Sequence, residues 1–539
     1  QSTGTPSDGT VLPASVATGL DFTFNSVVVG KGANSVAGNT VLGESALDAS
    51  VSGANNTAIG NIALTALTSG AANTAVGKGS LASNTTGGNN VAVGHEALNA
   101  NTTADNNVAV GRVALQVNTT GGQNVAVGNF ALDANSSADN NTAIGHAALG
   151  SNTTGTANTG VGQQALNSNT TASNNTAVGR NCLLFNTTGA SNTAVGALAL
   201  DAATTSSNNT AVGYAALTNN TTGDQNVGLG REALTSNTTA ANNVGVGDRA
   251  GRAITTGTQN TYVGSSAGRV HTTADNNTGI GYAALVANTT GTRNTAVGAN
   301  ALDSNTTAND NTAVGQEVLQ ANTTGASNTG LGRAALISNT TASNNTGIGY
   351  YALLSNTTGA YNVALGALAL DANTTANSNV GIGYAALGAT TTGANNTAVG
   401  TNSLDANTTG SRNVAVGQGS LGVNTTADDN VAIGYNALTA NTTGTRNVCV
   451  GNYALEDTVT GTNNAAFGSH ALSNNTGNYN TACGDGSLAA NTSGTQNTAV
   501  GTFALDANTT GANNTGLGYS ALTASTTASD NTAVGRNAM

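Results

Sequence analysis

The chain has 539 residues, of which 72 are glycine, 7 % charged and 3 % aromatic, with no tryptophan and a formal net charge of −12. So few large side chains exclude a thick globular core, and 13 Lys and Arg lay down no basic footprint for nucleic acid. No apolar run approaches the ~18 residues of a membrane span, and the strict periodicity described below argues against glycine-rich disorder.

Residues 1–25 stand apart. Both prolines, Pro6 and Pro13, fall in "TPSDGTVLPASVATG", and none follows. This segment reads as an N-terminal linker or attachment segment, and a chain opening on Gln1 reads as processed, as removal of a secretory signal would leave it. Residues 26–539 then repeat. After a shorter first turn ending at Gly30, a glycine recurs at Gly43, Gly60, Gly77 and Gly94 and onward in steps of 17 to Gly468. One 16-residue step reaches Gly484, and Gly501, Gly518 and Gly535 resume the period.

The unit is approximately "NTAVGxxALxANTTGxx". An Asn stands four residues before every one of these glycines from Gly43 on, as at Asn39, Asn56, Asn73 and Asn90. Leu stands four residues after almost every one, as at Leu98 and Leu200, with Gly251 and Gly268 as departures. Seventeen residues are too few for two helices and their turns. "NTAVG" reads as a strand, "ALxAN" as a second, weaker strand, and "NTTG" or "NTTA" as a turn. The predicted fold is all-β: a parallel β-solenoid or β-roll of about 30 coils of 17 residues, ending in a truncated coil.

Stacking gives each fixed position a role. The recurrent Asn is expected to form an amide ladder, the glycine to supply positive φ or close approach, and Leu with the Val or Ile before Gly to line the interior. The small residue two before Gly should then face the other way. Its persistent smallness suggests packing either against identical chains around a threefold axis or against the second sheet of a very flat roll. Association of chains would also help a coil with so little to bury.

Reactive chemistry is thin. Cys182, Cys449 and Cys483 replace small or apolar repeat residues and read as buried. His95, His146, His271 and His470 fall on distant coils and read as surface residues. Asp48, Asp133, Asp201, Asp303, Asp371, Asp405 and Asp506, each five residues after a Gly, read as a solvated edge rather than paired acid–base groups. Asp105 and Asp275 in "TADN" turns are weak calcium candidates beside the "GGxGxD" pattern of calcium rolls. No catalytic residue, metal site or cofactor is expected. "NTT" is an N-x-Thr sequon, which makes Asn84, Asn101 and Asn118 candidate glycosylation sites. Arg249, Arg252, Tyr262 and Arg269 gather where Leu gives way to Gly251 and Gly268. They form a candidate basic–aromatic patch for an anionic glycan, over a thinner core expected to bend the rod or open a groove.

"NSVVVGKGANSVAGNTVLGESAL" and the "NTAVGYAAL…NTTG" units resemble the head repeats of YadA-type trimeric autotransporter adhesins and related repeats of bacteriophage tail fibres and bacterial surface fibres. The resemblance implies a left-handed roll, three chains side by side, and surface attachment. The adhesin unit is shorter than 17 residues, and its neck, coiled coil and anchor do not appear here. The function expected is a structural extracellular fibre shaft with an adhesive role, not an enzyme, whose partners are identical chains and a cell-surface polysaccharide. The alternatives are a filament subunit polymerising end to end, or a glycan- or ice-binding repeat protein.

Overall fold

The computed structural model describes residues 21–539. Contacts divide the chain into two compact units, residues 1–256 and 257–539, and each is a stack of coils in its own right. Each is a parallel, all-β solenoid, and the described residues hold about 29 turns in all.

In the first unit, β1 (Phe22–Phe24) pairs antiparallel with β2 (Val27–Gly30), and β2 pairs antiparallel with β3 (Thr40–Gly43). Residues 1–20 of the expected linker lie outside the described residues, and Phe22–Phe24 belong instead to this small meander. It covers the edge of the parallel stack, which an uncovered first coil would leave with unpaired amides and carbonyls. From β3 to Val244–Val246 every strand pairs in parallel with the next, in register. Thr176 faces Thr193, Ala177 faces Ala194 and Val178 faces Val195. In the second unit the same ladder runs from Thr261–Val263 to Thr532–Val534.

Each 17-residue coil holds one strand, three residues long, where the sequence suggested two. The "ALxAN" segment is a chain of turns. Leu98 has φ 50° and Glu96 φ 54°, and the same left-handed backbone recurs at equivalent residues in coil after coil. A left-handed conformation costs an L-residue about 1–2 kcal/mol. Inter-coil hydrogen bonding holds it here: Leu98 donates its amide to the Ala114 carbonyl at 2.9 Å while its side chain is completely buried. The strand-ending glycine meets both conditions expected of it. Gly94 has φ 141°, and a Cβ there would collide with the carbonyl of Gly111.

The strand faces are the reverse of the sequence reading. Ala177 and Ala194 are buried, whereas Val178 and Val195 are each 36 % exposed. The interior is one chain thick, and its Leu fills the space opposite the strand. A Cβ placed on Gly160 would stand 3.4 Å from Leu149 Cγ. The residue two before Gly is therefore small because its own coil's interior demands it, and the Val or Ile beside it points out.

The cysteines follow this inversion. Cys182 and Cys449 are buried, and burial pushes both thiols up to about 12. Cys483, at the Val position, is exposed, contrary to its reading as buried. A maleimide reagent at neutral pH should therefore modify one thiol per folded, unassociated chain, at Cys483, and three after denaturation. Peptide mapping of the labelled sites checks this; labelling of native Cys449 would contradict the strand orientation.

Candidate functional site

The most conserved chemistry within the repeat is internal. Asn90 donates Nδ2 to Asn73 Oδ1 at 3.1 Å and to the Ala104 carbonyl at 2.8 Å, and its own amide donates to Asn73 Oδ1 at 3.0 Å. Asn39, Asn56 and Asn73 are joined in the same way. A second column runs through the Asn of "NTT". Asn101 donates to Asn84 Oδ1 at 2.9 Å and also to the Ala104 carbonyl, at 3.1 Å. Two amides thus converge on one inward-facing turn carbonyl in each such coil. Asn suits both columns, because its compact amide carries acceptor and donors together, while Asp has no donor when ionised.

This second column corrects the glycosylation reading. Asn84, Asn101 and Asn118 are completely buried, and the nitrogen a glycan would need is donating to carbonyls inside the coil. The threonines that follow divide the work: Thr85 Oγ1 donates to the Thr102 carbonyl at 3.0 Å, whereas Thr86 is exposed.

Besides Leu67 at its start and His271, the second column is interrupted at five described positions. Ala203, Ile254, Thr390, Thr458 and Ser525 replace Asn. One coil earlier in each case, Asn186, Asn237, Asn373, Asn441 and Asn508 bury an Oδ1 that makes no hydrogen bond. After one break Asn220 turns its amide to Ser206 Oγ at 3.2 Å.

His271 also takes a column position, and it is buried rather than on the surface. Its Nε2 donates to the Ala274 carbonyl at 2.7 Å, so Nδ1 is the acceptor, 2.9 Å from the Tyr262 hydroxyl and 3.2 Å from Asn288 Nδ2. Tyr262 is likewise buried. A Cβ on Gly268 would collide with its ring. The loss of Leu at Gly268 is thus filled by the gain of Tyr at a position that is elsewhere Ala or Gly apart from Val41 and Cys449, and the ring occupies the space that Leu leaves.

The Arg249, Arg252, Tyr262, Arg269 patch is therefore not assembled as expected. In the first unit, Arg249 and Arg252 both reach Glu232 Oε2, at 3.1 and 3.3 Å, and Arg231 pairs with Asp248 at 2.8 Å. In the second unit Tyr262 is interior and Arg269 is exposed.

The aspartate column is less solvated than expected. Asp48 is exposed, but Asp133, Asp201, Asp371 and Asp405 are half-buried, and burial raises each carboxyl above its ordinary value. Asp105 accepts the Gly88 amide at 2.6 Å, and Asp275 the Thr258 amide at 2.6 Å, so both carboxylates tie turns together. Among the described residues no three His, Cys, Asp or Glu side chains form a group able to hold a metal ion. Among them, too, no helix is long and apolar enough to cross a membrane.

The sequence reading missed the aromatic outer columns. Every Tyr but Tyr262 lies one or two residues after a repeat Gly, or five before one. In the second unit Tyr453 stacks on His470, centroids 5.1 Å apart, and meets Tyr435 edge-on at 5.3 Å. Phe503 meets Tyr519, over which Arg536 lies at 5.4 Å. Writing the sequence in 17-residue rows makes these columns visible. The chain matches no protein-family model and no curated protein sequence.

Two outcomes follow. Replacing Thr390 by Asn should pair Asn373 Oδ1, while Asn305→Ala should orphan Asn288 Oδ1; each should change local stability by about 1–3 kcal/mol, in opposite directions. Amide hydrogen exchange of the flanking coils reads both.

For His271, burial lowers the folded value below 6.5, so the unfolded chain takes up more protons in the window beneath 6.5. Its contribution to stability is full above that pH and is lost as pH falls, by at most about 1.4 kcal/mol per pH unit. Hydrogen exchange near residues 262–288 should therefore accelerate on acidification, and His271→Asn should remove the dependence.

Proposed function

We propose that this chain is a structural, non-catalytic shaft of an extracellular fibre with a surface-attachment role, of the kind formed by the YadA-type and tail-fibre repeats it resembles. The observation that carries the reading is the unbroken in-register stacking of like coils within each unit. That architecture spends nearly all of its inward-facing chemistry on holding the next coil.

Identical chains are the partner that best suits its surface. The outward strand positions Val178, Val195 and Val212 in the first unit, and Ile280, Leu331 and Leu365 in the second, form apolar columns 36–44 % exposed. Such a face invites cover, and another copy of the chain carries a matching 17-residue period. The contact is thus assigned to the Val and Ile columns rather than to the Ala column, which is interior.

Light scattering and electron microscopy test this. The wild-type chain should measure as three chain masses and appear as thin fibres. Val178→Lys with Val212→Lys should yield monomers that keep their β-sheet circular dichroism, whereas Ala194→Lys should unfold its coils. A wild-type monomer under all conditions would overturn the association, and globular particles would overturn the shaft.

A further inference from the structure

The second unit carries a cleft of about 380 Å³ lined by His470, Asn474, Asp485, Gly486, Phe503 and Asp506, among others. It arises from one missing ring. His470, Gly486 and Phe503 are equivalent residues of three successive coils, each two after a repeat Gly, with φ of 54°, 61° and 58°. Their side chains therefore leave the backbone in the same direction, and the Phe503 ring leans into the room that glycine leaves: a Cβ on Gly486 would stand 2.8 Å from Phe503 Cδ1 and Cε1. The cleft opens beside these residues, with the His470 ring from the coil before Gly486 and the Phe503 ring from the coil after it in its lining.

Both walls are backed. Tyr453 stacks on the far side of His470 with planes 22° apart, and Tyr519 meets Phe503 edge-on at 80°. Asp485 is exposed at the rim, and Asn474 is fixed there by donating Nδ2 to the Ala489 carbonyl at 2.7 Å. Asp506 is half-buried, and its enclosed Oδ1 makes no hydrogen bond. The cleft therefore offers two aromatic faces, two carboxylates and an amide.

The geometry points to a saccharide subsite that takes one neutral hexopyranose of a glycan chain. Aromatic faces carry negative potential and attract the C–H surface of a sugar ring. Carboxylates accept hydroxyl hydrogen bonds that are stronger than those of neutral acceptors. The same carboxylates repel uronic acids and sulfated sugars, so the ligand differs in charge from the anionic glycan that an Arg-based patch would select. The volume lies within the ~300–1,000 Å³ of small-molecule sites. For its biological role the inference rests on the surface-attachment reading, whereas the binding itself does not require a fibre.

Saturation-transfer NMR on the full chain, with methyl glucoside, galactoside and mannoside as probes, tests it. At least one neutral glycoside should receive saturation, and Phe503→Ala and Gly486→Phe should each weaken binding at least tenfold. Neither variant should disturb the backbone, since Ala147, Ala215 and Ala283 stand at the same repeat position as Phe503, and Phe130 stands at that of Gly486; Gly486→Phe displaces only the outward Phe503 ring, which lies 2.8 Å from where its Cβ would be. No saturation with any of the three probes, or binding unchanged in both variants, overturns the subsite. Equal binding of methyl glucuronide, or binding of tetramethylammonium in place of sugars, overturns its chemical class. Glycoside binding by a chain that forms no fibres would sink the shaft and leave the subsite standing.

Discussion

The interior of this solenoid depends on one buried turn carbonyl per coil. In the coil of Gly94 it belongs to Ala104, and it takes hydrogen bonds from Asn90 and Asn101. An inward carbonyl without partners would cost about 1–3 kcal/mol, repeated in every coil. The two amides that satisfy it are themselves joined to the coils on either side. The same groups that make a coil close on itself therefore make it stack. What remains of the interior is apolar and narrow, with Leu on one side and Ala or Gly on the other. Leu98 is held in a left-handed backbone that places its amide toward the next coil. Regularity is thus a consequence of polar satisfaction as much as of hydrophobic burial.

The period, the parallel stacking, the Asn ladder and the need for glycine were legible in the sequence, because each depends on residues that recur with hardly an exception. The inside and outside of the strand were not. "TAV" offers three residues, two of them apolar, and with so short a strand alternation leaves either face eligible for the core. Geometry decides it: the Leu opposite favours Ala or Gly there, with Val41, Tyr262 and Cys449 as the exceptions. The second strand was misread for a related reason. Leu and Ala carry no mark of a left-handed backbone, and only long-range hydrogen bonding holds them there. The second Asn column was hidden by its "NTT" context, which reads as a turn or a sequon before it reads as a core. The exchange of Leu for Gly268 and of a small residue for Tyr262 was visible as two irregularities, but their compensation needs the fold to bring them together.

Freedom lies on the outside. The positions one and two after the repeat Gly, and five before it, carry every tyrosine but Tyr262, most of the arginines and three of the four histidines. A change there alters no register, so such positions accept chemistry the interior refuses. Because equivalent positions stack, neighbours in space are residues 17 apart, and a site is written down a column rather than along a stretch of chain. Arg231 with Asp248 and Arg293 with Asp310 show the rule with charges, and Tyr453 with His470 shows it with rings. These exposed ion pairs contribute little stability individually, which leaves their columns open to other uses.

The 16-residue coil shows where the rule ends. Its strand still pairs in register, Ala465 with Thr481 and Phe467 with Cys483. The lost residue falls in the exposed turn, where "NTG" stands for "NTTG", and both columns survive it. Asn475 keeps its bond to the Gly477 carbonyl at 2.9 Å, and Asn491 still donates to Asn475 Oδ1 at 2.6 Å. A deletion between the strand and the following Leu would instead displace Leu from its column and turn the strand over. Length is therefore constrained by segment. The arc from one Asn column through the strand and Leu to the other is fixed, whereas the turn that closes the coil tolerates change. The shortened coil lies beside the cleft, its His470 forming one wall, so a change in turn length and a change in surface shape occur together without reaching the interior.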